Sequence, residues 1–131
     1  ALCASQWHKT LTYKDDFFTD GMTYDADFTK EFGYAPPYQA AESSAALLVF
    51  KDAFERANSF DKVKVRDALA DTNMQTFYGN IKFAEGGQNV DKPMVLFQVM
   101  CDGDKCENKV VAPTKWASAE LIHPIPSWSE R

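Results

Sequence analysis

The hydrophobic and polar positions of this chain fall into helical stretches in its first half and strands in its second. Ala1 to Trp7 is short and rich in small residues, Thr10 to Tyr13 alternates, and Asp15 to Gly21 breaks the pattern, predicting a short strand and then a loop. Tyr24, Phe28 and Phe32 recur every four positions and so share one side of a helix, with Asp25 as its predicted cap and Gly33 as its left-handed exit. Pro36-Pro37 stiffens the entry to the longest helix, Tyr38 to about Ala57. Its apolar stripe of Ala41, Ala45, Leu48, Phe50, Phe54 and Ala57 contains small residues that predict close packing. A third helix begins at Asp61, whose carboxylate can accept unpaired N–H groups, and runs through Val65 and Leu69 to about Asp71-Thr72.

From Thr76 the period becomes that of a strand, with Phe77, Ile81 and Phe83 set against polar neighbours. Gly86-Gly87 with Asn89 predicts the next turn. Lys92 to Met100 and Lys109 to Ala112 then form a hairpin. A short helix is expected over Thr114 to Leu121, and Pro124 and Pro126 bar regular structure from the tail. Trp128 is expected to staple that tail down. The order of elements indicates an α/β chain.

Composition narrows the possible functions. The 131 residues carry a formal charge of -5, which argues against a nucleic-acid surface, because clustered Lys and Arg are needed to neutralise phosphates. The 45% hydrophobic content is enough for a core, and no apolar run approaches the roughly 20 residues of a membrane span. Cys101 and Cys106 enclose the turn-rich Asp102-Gly103-Asp104-Lys105, so a short-range disulfide across a hairpin tip is expected over two free thiols. One such pair supplies half a tetrahedral shell, so no metal is expected there, and Cys3 is left without a local partner.

Catalytic signatures are missing from the sequence. His8 and His123 lack the spacing of a two-histidine metal helix and read as surface or packing residues. Gly86-Gly87 precedes a strand instead of a phosphate-binding helix, and the acidic pairs Asp15-Asp16 and Asp102/Asp104 read as solvated loop carboxylates. No catalytic residue and no cofactor are expected.

Seven segments in order carry a resemblance: Gln6-Trp7, FGYAPPYQAA, SFDKVKVRDAL, TFYGNIKF, the Gly-Asn turn, KPMVLFQV and the closing Pro-x-Pro-x-Trp-x-x-Arg. Together they make the chain resemble the C-terminal part of a type I periplasmic solute-binding protein of an ABC transporter, in the branched-chain amino acid and amide receptor family. That resemblance implies part of a two-lobed protein with three-layer α/β/α lobes. Residues 1–24 would belong to the second lobe, 25–80 would pack on the first, and 81–131 would return to the second, with crossings near Tyr24 to Phe28 and Phe77 to Ile81. It also implies a periplasmic or extracytoplasmic location, an export signal outside this sequence, a small-molecule solute and a membrane permease as partners, and peripheral contact with the membrane complex. Apolar helix faces would be covered by the rest of the protein or by a dimer partner.

A receptor cleft needs aromatic walls and a few polar groups to orient its ligand. The resemblance places Gln6 and Trp7 at a strand end facing the cleft, where some relatives have a glutamate for an α-ammonium. A neutral Gln there weakens the case for an amino acid and leaves an amide, aromatic acid or polyamine-like solute open beside the branched-chain amino acids that the resemblance implies. Tyr34 and Tyr38 flank Pro36-Pro37 before the long helix, whose unpaired N–H groups could face a polar head. For Trp7 and Tyr38, packing in the core is the open alternative. A ligand-sensing regulatory domain of the same fold and an independent α/β module remain the alternatives to a transport receptor.

Overall fold

A computed structural model describes residues 1–127. The predicted role of Trp128 lies outside the described residues. Strand β1, Leu2–Ser5, pairs antiparallel with the long strand β6, Val95–Asp102, which pairs in turn with β7, Lys105–Ala112. The order is β1-β6-β7, so the first strand and the last two share one sheet. Between them lie a two-residue ladder, β2 Lys14–Asp15 with β3 Thr19–Asp20, three helices, and the hairpin β4 Asn73–Thr76 with β5 Gly79–Lys82.

Helix α1, Gly21–Phe32, starts four residues before the expected cap at Asp25. Asp20 is the cap, its Oδ1 accepting from the Thr23 N–H at 2.9 Å. Asp25 lies inside the helix and accepts from Lys9 Nζ at 2.9 Å. The reason for the early start is steric: a Cβ at Gly21 would sit 2.7 Å from the Lys9 carbonyl oxygen, so only glycine lets the helix begin against that segment. Gly33 ends the helix at φ 78°, donating its N–H to the Thr29 carbonyl. Residues 24–28 are helical, and the irregular chain lies before them.

Helix α2, Tyr38–Ala57, buries Ala41, Ala45, Val49 and Ala53. This stripe is narrower than the expected one, since Phe50 and Phe54 are exposed and Leu48 is half-buried. Four residues separate each buried position from the next, a row inclined to the helix axis that small side chains let pack closely. Helix α3, Lys62–Ala70, is capped by Asp61, whose Oδ1 accepts from the N–H groups of Val63 and Lys64.

The predicted strand through Phe77 is instead the turn of the β4–β5 hairpin. Thr76 Oγ1 donates to the Gly79 carbonyl at 2.9 Å and receives its N–H at 3.3 Å, closing the loop, and Gly79 takes φ 149°, open to glycine. Phe77 and Tyr78 are both buried, unlike neighbours on a strand with one face in solvent. Phe77 centres an aromatic cluster, stacked on Tyr24 at 4.3 Å and edge-on to Phe18 and Trp7. Asp15 is not a solvated carboxylate: it accepts from the N–H groups of Phe17 and Phe18 and, across 62 positions, from that of Phe77 at 2.6 Å.

The β6–β7 hairpin is longer than expected, paired from its base to the tip with Gly103 at φ 60°, and a disulfide joins Cys101 to Cys106 directly across it. Cys3 is a free, exposed thiol. The helix expected over Thr114 to Leu121 shrinks to one 3₁₀ turn, Thr114–Trp116. The N–H groups of Ser118 and Ala119 bond to the Val110 carbonyl, and Ser118 Oγ takes the Val110 N–H, so the chain is drawn onto β7. Buried Gln98 holds the following segment by exchanging two hydrogen bonds with the backbone of Ile122.

Candidate functional site

Ser5 ends β1 by turning its side chain back on the chain, its Oγ donating to the Trp7 carbonyl at 2.9 Å and receiving the Trp7 N–H. That turn sends Gln6 and Trp7 into different cavities. Gln6 lines a groove of about 1010 Å³ between α2–α3 and the β5 end of the molecule, together with Glu42, Ala45, Val49, Tyr78, Ile81 and Lys92 among others. Trp7 lines a cavity of about 510 Å³ against the face of the sheet, shared with Tyr38, Pro36, Pro37 and His8. Tyr34 lines neither; it is 57% exposed and packs its ring on Phe28. The four expected binding residues are thus spread over two cavities and a surface.

The smaller cavity is mostly built for packing. Trp7 is only 5% exposed and meets Tyr24 and Phe77 edge to face. Its indole N–H finds no acceptor among the described residues. Burial pulls the His8 imidazole below its usual range, partly offset by a backbone hydrogen bond at Asn108, and its Nδ1 lies 2.8 Å from Thr10 Oγ1.

The larger groove has the mixed lining of a solute site, with an apolar wall of Ala45, Val49 and Ile81, a polar cluster of Gln6, Glu42, Tyr78 and Lys92, and the charged side chains of Arg66, Asp71 and Glu85 also in its lining. Arg66 pairs with Asp67. Lys92 crosses the polar cluster. Its Nζ donates to the Gln6 carbonyl and lies 4.1 Å from the centre of the Tyr78 ring, a cation–π contact. Its stem lies against Gly79, where a Cβ would come within 3.0 Å of it. Burial lowers the Lys92 ammonium to about 8, against the opposing charge of Glu42, and raises the Tyr78 phenol above the ordinary tyrosine range, with Glu42 adding to the effect.

Sequence reasoning missed Glu42, Tyr78 and Lys92. Lys92 precedes a proline at a strand entry and reads as solvated, and only the Tyr78-Gly79 step hinted that a long side chain could lie flat there. Among the described residues no cluster of His, Cys, Asp and Glu could hold a metal ion, and no helix is long and apolar enough to cross a membrane.

No family model matches the chain. Among solved structures, the leucine-binding protein LivK of Thermotoga maritima superposes on it with a TM-score of 0.64 at 22% identity, over 87% of this chain and 31% of that one. The fold is therefore that of part of an α/β periplasmic binding protein. The chain spans about a third of the structure it matches.

Proposed function

We propose that the chain is the C-terminal part of a two-lobed solute receptor that binds a small polar or amphipathic molecule and delivers it to an ABC-type membrane permease outside the cytoplasm. The observation that carries this reading is the groove, where an apolar wall meets a cluster of four polar groups drawn from β1's exit, α2, the β4–β5 turn and the segment before β6, with Arg66, Asp71 and Glu85 also in the lining. Convergence of distant segments on one concave surface is what a solute site requires. The likeness to a leucine-binding protein supports the same reading.

In this arrangement residues 1–24 and 81–131 belong to the second lobe and residues 25–80 pack on the first. The exposed row Leu47, Phe50, Phe54 and Phe60 supports that layout, because apolar side chains left open on α2 and beyond its end suit an apolar sheet laid over them. Solute binding would favour a closed arrangement of the lobes that the permease recognises.

Thermal unfolding of the full-length protein with leucine, isobutyramide or benzoate tests the proposal. A true solute at about 100 times its Kd adds about 2.7 kcal/mol of stability and raises the midpoint by several degrees. No shift with any amino acid, amide or aromatic acid, at concentrations up to about 10 mM, removes the reading.

A further inference from the structure

We propose that Lys92 is the anion-recognising residue of this groove, and that the solute carries a carboxylate seated on the Lys92 ammonium with its hydrocarbon part along Ala45, Val49 and Ile81. The inference deepens the receptor reading and rests on it.

An ammonium has three donors, and the Gln6 carbonyl takes one. The Tyr78 face attracts the charge without accepting a conventional hydrogen bond. Among the described residues Lys92 forms no ion pair, since every Lys or Arg to carboxylate contact within 4.0 Å involves other residues. Glu42 acts on it from farther away and is exposed, so water and salt weaken its field. A half-buried ammonium with incomplete compensation costs the fold free energy that a methionine of similar length would not. Such a cost is characteristic of a recognition group.

Position favours the same role. The stem is held against Gly79, so the amine is fixed in the polar cluster of the groove and need not be ordered when a ligand arrives. An arriving carboxylate would supply the missing counter-charge in a site already partly stripped of water, where a charge-assisted bond is strong.

The same geometry predicts a pH dependence. The ligand-free ammonium loses its proton near 8, while a bound carboxylate would hold that proton to higher pH. Affinity for an anionic solute is therefore full below that value and falls as pH rises through it. The groups facing Lys92 are Glu42 on α2 and the Tyr78 phenol in the turn, with Tyr38 acting on Tyr78; burial keeps the Tyr78 proton in place above this window.

Isocaproate and isocaproamide share one hydrocarbon skeleton and differ in charge, so calorimetric titration of the full-length protein with each isolates the anion. The wild type should bind the acid about tenfold tighter than the amide at about pH 7, with that preference lost at about pH 9.5 and lost in Lys92→Met and Lys92→Gln at both. Equal affinity for acid and amide, or a preference that survives either substitution, overturns the assignment. Binding of the amide or of leucine without the acid leaves the receptor reading standing and removes this one. If neither the acid nor the amide binds, this assignment is overturned, and the receptor reading falls with it only when the thermal-unfolding test finds no amino acid, amide or aromatic acid that shifts the midpoint. Lys92→Met should melt no lower than the wild type, and the wild-type pH profile decides the matter alone if neither variant folds.

Discussion

The two faces of helix α2 obey opposite rules. One face presents Ala41, Ala45, Val49 and Ala53 to the interior, near an aromatic cluster in which Phe77 has no exposed surface at all. The other carries Leu47, Phe50 and Phe54, which with Phe60 beyond the helix form an open row of rings and a leucine. Size is inverted relative to burial: the small residues are inside and the large ones outside. Ala41, Ala45 and Val49 belong to the same core cluster as Phe77, and their small side chains let the helix pack closely there. The open row has no such constraint within the chain, and its apolar content is what a covering surface would use.

The tests of this contrast use the 131-residue chain by itself, with the open row uncovered, and the largest compares two phenylalanines. Phe77→Ala should lower stability in urea unfolding by about 3–5 kcal/mol, whereas Phe60→Ala, at a site 89% exposed, should change it by no more than about 0.5 kcal/mol. Equal losses would mean that Phe60 is covered in solution and that the two faces are alike. Next in size, Ala53→Leu on the closed face should cost about 1–3 kcal/mol by overpacking, while Leu47→Ala, 71% exposed, should stay within about 0.5 kcal/mol. A tolerated leucine at position 53 would show that the alanine row does not set the helix distance. The smallest effect belongs to the helix end beyond both faces: Asp61→Ala should cost about 1 kcal/mol through loss of its bonds to Val63 and Lys64. Faster amide exchange confined to the first turn of α3 would accompany that loss.

The local rules were legible where a residue's nearest neighbours decide the outcome. Gly33 after Phe32, Asp61 before Lys62 and Pro36-Pro37 before Tyr38 each act within one helical turn, and the helix ends they predict stand in the structure. The hairpin around Asp102 to Lys105 follows equally from short-range turn chemistry. Reading failed where a distant segment intervened. Asp25 looked like a cap because nothing nearby shows that Gly21 must fit against Lys9, and Thr114 to Leu121 looked helical because the Val110 carbonyl that captures Ser118 and Ala119 lies outside any local window.

The candidate site divides in the same way. Gln6 and Trp7 are adjacent in sequence and were read as one pair, yet the Ser5 turn places them in separate cavities. Asp15 looked solvated until the turn at Phe77 folded over it. The sequence by itself determined the three α-helices in their order, the helix ends at Gly33, Pro36-Pro37 and Asp61, and the hairpin with its two cysteines, because backbone geometry and capping act over a few residues. Only the tertiary structure decided that Gln6, Glu42, Tyr78 and Lys92 share one groove. Their meeting depends on segments up to 86 positions apart, and the burial that alters the Lys92 ammonium does not exist until those segments close around it.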